Sequence, residues 1–327
     1  MKIFKSWFFL ALLFIIPAVL FQSGLFTAQN QTNRFTILIH GGAGTIDKNL
    51  PDSIKKDYLT ALENILRAGR KMLENGEKAI DVVEAVVRLF EDDSLFNAGK
   101  GAVLNSEGHY ELDACIMDGT DLSNGAVTGV MHIKNPVSLA RLIMDSTSNI
   151  FFSGTGAEKL AEKYGVEMVG QDYFYTERRF NQWKKIDQRK KEIKGTAGCV
   201  VLDIYGNLAA ATSTGGLSYK MPGRIGDTPV SGAGTYANNL TCAVSCTGTG
   251  ELFMKYNIAF RVSALMEYKN YSLKQAADEV IFSLLKPDDG GLIAVDKHGN
   301  FAAPFNTKGM FRGVANSDGL FEIKIWE

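Results

Sequence analysis

Apolar residues recur along the chain with two spacings, one typical of helices and one typical of strands. From Asp52 to Glu74 they return every three or four residues until Gly76, and the same period runs from Glu77 to Phe90. Short apolar runs between turn residues predict strands at Thr36–Ile39 and at 125–133. Further helical patterns lie near 136–145, 156–165, 251–268 and 272–285.

Three segments have the strand-turn-strand pattern of a hairpin. The first spans 101–119 around a Ser-Glu-Gly turn, the second spans 198–214 around Tyr-Gly-Asn, and the third, 291–307, resembles the second. Strand patterns cluster and helical patterns come in pairs. This order predicts an α+β fold in which helices pack on antiparallel sheets.

Two segments depart from this regularity. Residues 171–194 are rich in Arg, Lys and Glu without a sustained apolar period, which predicts an exposed linker or an irregular arm. At the start, Lys2 and Lys5 precede an apolar run from Trp7 to Phe21 that is shorter than the ~20 residues of a membrane-spanning helix. Residues 1–28 are therefore predicted to be a signal peptide, with a retained membrane anchor as the alternative, and the location is periplasmic or secreted.

Composition excludes several classes of protein. A chain of 327 residues, 46% hydrophobic and with a formal charge of -1, suits one large domain or two modest ones and is too apolar for disorder. It lacks the basic excess that binds nucleic acid. Cys242 and Cys246, in one predicted strand, lie about 13 Å apart at ~3.3 Å per residue, so the cysteines are expected to be free thiols.

Known cofactor and metal motifs are missing as well. The four histidines form no HExxH pattern, and no GxSxG elbow occurs. The glycine turn at 40–45, "HGGAGT", lacks the third glycine of a dinucleotide loop, and "NAGKGA" at 97–102 lacks the Ser or Thr of a phosphate loop. We expect no cofactor for catalysis.

The second half of the chain is rich in Gly and Thr at places where chemistry is plausible. Arg224 and Asp227, three apart in "PGRIGD", suit the carboxylate and the ammonium of an amino acid, although a loop-stiffening salt bridge would look the same. The turn "CTGTGE" at 246–251 can direct backbone N–H groups at an oxyanion, or can simply connect a strand to a helix.

Thr196 stands between the charged segment and the apolar run "AGCVVL". Inside a chain it has no base beside it and would be an ordinary first residue of a strand. If the Gly195–Thr196 bond were cut, Thr196 would gain an α-amine with a reference pKa near 7.7–8.0. That amine can serve as general base for the hydroxyl of the same residue.

These motifs together resemble the isoaspartyl peptidase/L-asparaginase family, the plant-type asparaginases among the N-terminal-nucleophile hydrolases. The likeness runs from "HGGAG" at 40–44 through "GTAGCVVLD", "TSTGG", "PGRIGD" and "GAGTYA" to "CTGTGE". The resemblance implies a four-layer αββα sandwich, formed as one domain by an α subunit (29–195) and a β subunit (196–327). It also implies autocatalytic cleavage before Thr196, lasting association of the two subunits, and a dimer of such units.

The resemblance further implies a role for each matching residue. Thr196 would be the nucleophile, Thr214 would support it, and Thr247 and Gly248 would form the oxyanion hole. The substrate, asparagine or a β-aspartyl peptide, would be held by Arg224, Ile225, Gly226, Asp227, Thr247, Gly248, Thr249, Gly250 and Asn97. A structural sodium ion would bind backbone carbonyls of Phe90, Glu91, Asp93, Phe96, Ala98 and Lys100, although Lys100 stands where that loop often has an aliphatic residue.

Three alternatives remain open at this stage. The sister group, glycosylasparaginase, shares the machinery and cleaves sugar–asparagine linkages, but it tends toward Asn in "TSTGG" and toward Asp at the position of Gly195. A non-catalytic amino-acid-binding protein would use Arg224 and Asp227 and stay a single chain. A structural secreted domain with glycine-rich turns would neither be cut nor bind a ligand.

Overall fold

The computed structural model describes residues 34–185 and 195–327. The signal-peptide prediction and part of the linker prediction therefore lie outside the described residues. The helices are α1 (Asp52–Glu74), α2 (Ala79–Asp92), α3 (Pro136–Ser146), α4 (Gly154–Tyr164), α5 (Glu177–Lys185), α6 (Gly250–Tyr256), α7 (Ile258–Lys269) and α8 (Leu273–Asp278). Short 3-10 helices occupy Gly99–Gly101 and Gln171–Phe174, and a π-helical turn, Glu279–Leu284, follows α8.

Two sheets form the centre of the fold. The strands are β1 (Thr36–Gly44), β2 (Leu112–Asp118), β3 (Asn124–Val130), β4 (Phe151–Ser153), β5 (Ala197–Leu202), β6 (Leu208–Thr214), β7 (Thr235–Ala237), β8 (Cys242–Gly248), β9 (Gly290–Asp296), β10 (Phe301–Ala302), β11 (Gly309–Asn316) and β12 (Phe321–Lys324). The larger sheet has the order β12-β11-β1-β5-β6-β2-β3-β4, and the smaller has β10-β9-β8-β7. All pairings are antiparallel except that of β3 with β4.

Side chains alternate between two cores along the strands of the large sheet. In β5, Cys199 and Val201 face α1–α3, whereas Val200 and Leu202 face the small sheet. A third core lies between the small sheet and α6–α8. Because both faces of β5 are covered, the strand is a continuous apolar run, as buried strands are. The order helices, sheet, sheet, helices confirms the αββα sandwich.

Most predicted elements are present, with two corrections. The hairpin predicted over 101–119 is wrong in its first half, because only β2 is a strand. Residues 104–106 instead bond to a loop far along the chain, with Tyr219 N donating to Leu104 O and Ser106 N to Lys220 O, both at 2.8 Å. The four cysteines are free and buried, as expected.

The linker prediction is wrong for the part of the segment that the structure describes. Phe174 is fully buried, and Arg179 in α5 is only 6% exposed. The Arg179 Nε donates to Gly101 O at 2.7 Å, and Trp183 Nε1 donates to Asn105 O at 2.8 Å. The Arg179 and Trp183 side chains thus dock α5 against the loop that follows Asn97. Residues 186–194 lie outside the described part.

Gly69 allows α1 to approach the large sheet closely. A Cβ at this position would lie 2.5 Å from Ile37 Cδ1 and 2.7 Å from Val86 Cγ2, whereas a Cβ at Gly156 in α4 would meet nothing within 4 Å. Both glycines have helical backbones. An alanine at Gly156 therefore tests helix propensity alone, whereas an alanine at Gly69 also tests the packing of the core.

We predict opposite effects of the same substitution at these two glycines. Gly156→Ala should raise the free energy of unfolding by up to about 1 kcal/mol, because alanine favours the helix. Gly69→Ala should lower it by about 1–3 kcal/mol, because the methyl group overpacks the core. Urea unfolding measures both, and equal stabilities for the two variants would contradict this packing of α1.

Candidate active site

The bond between Gly195 and Thr196 lies at one end of the gap between the two sheets. Thr196 is only 6% exposed and immediately precedes β5. Gly195 O accepts hydrogen bonds from Asn97 Nδ2 at 2.7 Å and from Thr214 Oγ1 at 3.1 Å. The carbonyl that would be attacked in the predicted cleavage is therefore held by two donors.

Thr214, the last residue of β6, connects the two residues of that bond. The Thr196 hydroxyl donates to Thr214 Oγ1 at 3.4 Å, and Gly216 N donates to the same oxygen at 3.0 Å. The Thr214 hydroxyl in turn donates its hydrogen bond to Gly195 O. The two threonine hydroxyls and the Gly195 carbonyl thus form one short hydrogen-bonded path.

Gly42 in the "HGGAG" segment packs directly on this bond. A Cβ there would lie 3.0 Å from Gly195 Cα and 3.3 Å from Thr196 N. The backbone of Gly42 also has φ +115°, a value that side-chain-bearing residues rarely adopt. Glycine is required at this position for both reasons.

His40 is a site residue that the sequence analysis did not identify. Its Nδ1 lies 2.9 Å from Thr196 O, and its Nε2 lies 2.8 Å from Ser245 Oγ in β8. Burial lowers the pKa of the imidazole to about 3, so the ring is neutral and carries one proton. A carbonyl only accepts, so that proton is on Nδ1.

The His40 tautomer fixes the direction of a buried hydroxyl chain. Nε2 must accept from Ser245, whose oxygen is 2.7 Å from Thr212 Oγ1, and Thr235 Oγ1 donates to Thr212 at 2.7 Å. The chain runs from Thr235 in the small sheet, through Thr212 and Ser245, to His40 and the carbonyl of Thr196. No local sequence motif predicts this hydrogen-bonded chain, because its members lie on four different strands.

The predicted substrate-binding pair is present but not as a mutual salt bridge. Arg224 bonds Glu251, and Asp227 is 5% exposed with an Oδ2 atom that has no hydrogen-bond partner in the described part of the chain. Burial raises the pKa of Asp227 to about 7, and the nearby Arg224 opposes the rise. The loop-stiffening alternative is thus wrong for these two residues.

Gly250 separates the two charged groups. A Cβ on it would lie 2.9 Å from Asp227 Oδ1 and 3.0 Å from Arg224 Nη2. Both groups therefore flank the same small surface, which has no side chain of its own. An amino acid seated on Gly250 would meet a cation on one side and a carboxyl group on the other.

A small cleft joins these groups to Thr196. Its lining includes Gly195, Thr196, Thr214, Arg224, Gly226, Asp227, Gly248 and Gly250. Of the other predicted site residues, Asn97 contacts Gly195, whereas Ile225, Thr247 and Thr249 are outside the lining. The cleft has a volume of about 10 Å³, which is room for about one water molecule.

The predicted oxyanion residues lie where β8 ends. Thr247 is fully buried, and its Oγ1 accepts from Ala43 N at 3.1 Å. The Thr247 hydroxyl proton therefore points away from Ala43 and stays available as a donor. Gly248 lines the cleft, and Thr249 N donates to Asp289 O at 2.8 Å.

The predicted sodium loop presents backbone oxygens, which suit a hard cation. A Cβ at Gly99 would lie 2.3 Å from Glu91 O, and one at Gly101 would lie 2.0 Å from Phe96 O. Phe90 O and Ala98 O accept from Asp93 N and Gly101 N, and Lys100 Nζ packs over the Tyr173 ring at 5.5 Å. In the described ranges, no group of His, Cys, Asp and Glu side chains is arranged to hold a metal.

Comparison with known proteins agrees with the fold and the motifs. A family model described as Asparaginase matches residues 33–325. The isoaspartyl peptidase of Escherichia coli (strain K12) is 47% identical over 296 residues, covering 84% of this chain and 91% of the relative. A probable isoaspartyl peptidase/L-asparaginase 2 of Arabidopsis thaliana is 43% identical over 324 residues, covering 90% and 99%.

A mammalian relative gives the same result. The isoaspartyl peptidase/L-asparaginase of Mus musculus is 43% identical over 285 residues, covering 84% of this chain and 86% of the relative. The αββα sandwich and the match to the family model together place the chain in the class of N-terminal-nucleophile hydrolases. Within that class, the chain belongs to the isoaspartyl peptidase/L-asparaginase family and is an enzyme of the amidohydrolase type.

The hydroxyl chain yields a prediction about stability. Ser245→Ala should lower the free energy of unfolding by about 1–3 kcal/mol, because His40 Nε2 and the Thr212 hydroxyl lose their partner away from water. Ser146→Ala, at an exposed serine that ends α3, is the matched control and should change it by less than about 0.5 kcal/mol. Chemical denaturation measures both variants. An unchanged free energy of unfolding in Ser245→Ala would contradict the hydrogen-bonded chain through Ser245.

Proposed function

We propose that this protein hydrolyses L-asparagine and β-aspartyl peptides, with Thr196 as an N-terminal nucleophile that is freed by cleavage of the chain itself. The observation that carries the proposal is the buried Gly195–Thr196 bond, whose carbonyl is held by Asn97 and Thr214 beside the Thr196 hydroxyl. The names of the relatives support the substrate class.

Maturation would begin when Thr196 Oγ attacks the carbonyl carbon of Gly195. The two donors to Gly195 O would stabilise the oxyanion, as backbone and amide donors do in acyl transfer. The C–N bond then breaks, the Thr196 nitrogen receives the proton that Oγ has lost, and Gly195 is left as an ester on Oγ. Water hydrolyses the ester, which releases the Gly195 carboxylate and restores the Thr196 hydroxyl beside the free α-amine.

Cleavage would also create room for substrate. The cleft of about 10 Å³ is far smaller than the ~300 Å³ or more of usual ligand sites. Gly195 forms part of its wall, so departure of the new carboxyl end would enlarge it. This requirement accounts for the placement of the scissile bond inside the substrate site.

Turnover would use the same hydroxyl on a new carbonyl. The Thr196 amine takes the hydroxyl proton as Oγ attacks the side-chain amide of asparagine, and it then protonates the departing ammonia or amino acid. Thr247 and Gly248 would hold the oxyanion, and Ile225 and Thr249 would join the walls only after cleavage has enlarged the cleft. Water then cleaves the β-aspartyl ester to aspartate, so atoms and protons balance without a cofactor.

The substrate's α-carboxylate would bind Arg224, and its ammonium would bind Asp227. The carbonyl-rich loop of Glu91 and Phe96 would hold a structural sodium ion through backbone oxygens, next to Asn97 in the chain. Burial raises the pKa of the Glu91 carboxyl to about 8, and a cation bound beside it would oppose that rise.

The wider setting is also part of the proposal. Residues 1–28 would direct export to the periplasm or the outside, the α and β subunits would stay associated, and two such units would pair. Among the helices that the structure describes, none has the length and apolarity to reach across a membrane.

Thr196 provides the test of this function. Wild-type protein should separate into two chains under denaturing conditions and release ammonia from L-asparagine and leucine from β-aspartyl-leucine. Thr196→Ala should remain one chain and release neither, because it lacks the hydroxyl. Thr196→Ser, which keeps a hydroxyl, is the control and should still be cut.

Each alternative gives a different outcome. An uncut wild-type chain that binds asparagine without turnover would favour an amino-acid-binding protein. Turnover of glycoasparagine in preference to both substrates would favour glycosylasparaginase. Normal processing of Thr196→Ala would overturn the mechanism.

The pKa of Asp227 predicts how substrate binding depends on pH. Only the ionised form of Asp227 binds the ammonium, and near pH 7 about half of the protein molecules have Asp227 protonated. The KM for asparagine should therefore rise roughly tenfold per pH unit below 7 and level off between about 7.5 and 8. Steady-state kinetics from pH 5.5 to 8 measure this, and a KM independent of pH in that range would contradict the role of Asp227.

A further inference from the structure

Glu251 is a charged residue beside the cleft that the mechanism does not yet use. It is the second residue of α6 and forms a paired contact with Arg224, whose Nε donates to Oε1 and whose Nη2 donates to Oε2, both at 2.9 Å. The Arg224 side chain is 14% exposed, whereas that of Glu251 is 52% exposed. Glu251 thus contacts the buried guanidinium from the solvent side.

The contact occupies one edge of the guanidinium and leaves the other free. Arginine presents five N–H donors in a rigid plane, and Glu251 takes the edge formed by Nε and Nη2. Nη1 has no acceptor in residues 34–185 and 195–327. A Cβ on Gly226 would lie 2.9 Å from Nη1, and one on Gly216 would lie 3.5 Å from it. Both glycines line the cleft, so the free edge faces it.

Glycines at these positions are needed for that orientation. A Cβ on Gly226 would lie 2.9 Å from Arg224 Nη1 and one on Gly250 would lie 3.0 Å from Nη2, so a side chain at either position would displace the guanidinium. A free arginine side chain loses rotamer entropy when it binds, and a partner that holds it in place removes that cost before the substrate arrives. The carboxylate of Glu251 is that partner.

We propose that Glu251 is a positioning residue: it holds Arg224 so that Nη1 and the second proton of Nη2 meet the α-carboxylate of the substrate, and it thereby sets the preference for substrates that carry this carboxylate. The inference rests on the proposed function. Glu251 does not touch the reacting atoms, so its effect falls on binding and not on the chemical step.

The test compares two substrates in two variants. Glu251→Gln replaces one acceptor oxygen by an amide nitrogen that faces the guanidinium N–H groups, and Glu267→Gln, at an exposed position of α7, is the matched control. The substrates are L-asparagine and 3-aminopropanamide, which lacks the α-carboxylate. Mass spectrometry first verifies that each protein is cut before Thr196, since the self-cleavage does not involve Arg224.

In Glu251→Gln we expect the KM for asparagine to rise roughly tenfold, with kcat changed less than about twofold. The KM for 3-aminopropanamide should not change, and Glu267→Gln should match wild type for both substrates. A merely structural role of Glu251 would affect both substrates alike.

Two results would overturn the proposal. An unchanged KM for asparagine would mean that Arg224 needs no partner, and a lowered KM would mean that Glu251 competes with the substrate. If wild-type protein is cut but does not hydrolyse asparagine, the proposed function itself fails, and this inference fails with it.

Discussion

The hydrogen bonds that hold the Gly195–Thr196 peptide are the constraint on which the rest of the site depends. Asn97 comes from the loop after α2, Thr214 ends β6, and His40 lies on β1, so one loop and two strands of the large sheet bond the carbonyl oxygens of Gly195 and Thr196. Both flanking carbonyl oxygens are bonded, and the backbone of Gly42 closes against the same peptide. Geometry of this kind requires the whole sandwich, not a local motif.

Charge in the cleft is organised around the guanidinium of Arg224, whose side chain is 14% exposed. Arg224 faces Glu251 on its solvent side and lies across Gly250 from Asp227. Because Asp227 is fully buried, its pKa is raised to about 7, and a bound ammonium would draw it back into the ionised form. The site is therefore arranged for a zwitterion, whose two charges complement groups that the protein holds apart.

Sequence patterns predicted local features better than distant ones. The predicted bounds of α1, Asp52–Glu74, agree with the structure because a single apolar period marks it. β11 and β12 were not predicted, the first arm of the 101–119 hairpin was wrong, and Arg179 was not expected to be buried. In these cases the residues that determine the structure lie far away in the sequence. β11 forms its hydrogen bonds with β1, and Arg179 donates to Gly101 O.

The site divides in the same way. The glycine-rich motifs carry the resemblance to the family, and Arg224, Asp227, Gly248 and Gly250 in them line the cleft, whereas Ile225, Thr247 and Thr249 do not. His40 was seen only as a histidine without a metal pattern, because its partners lie far along the chain.

The most direct measurement is the mass of the β fragment when asparagine turnover is quenched with acid. We expect the β fragment to carry an added aspartyl group that mild base releases and that fragmentation locates on Thr196. An adduct on another residue, or turnover without any adduct, would contradict it.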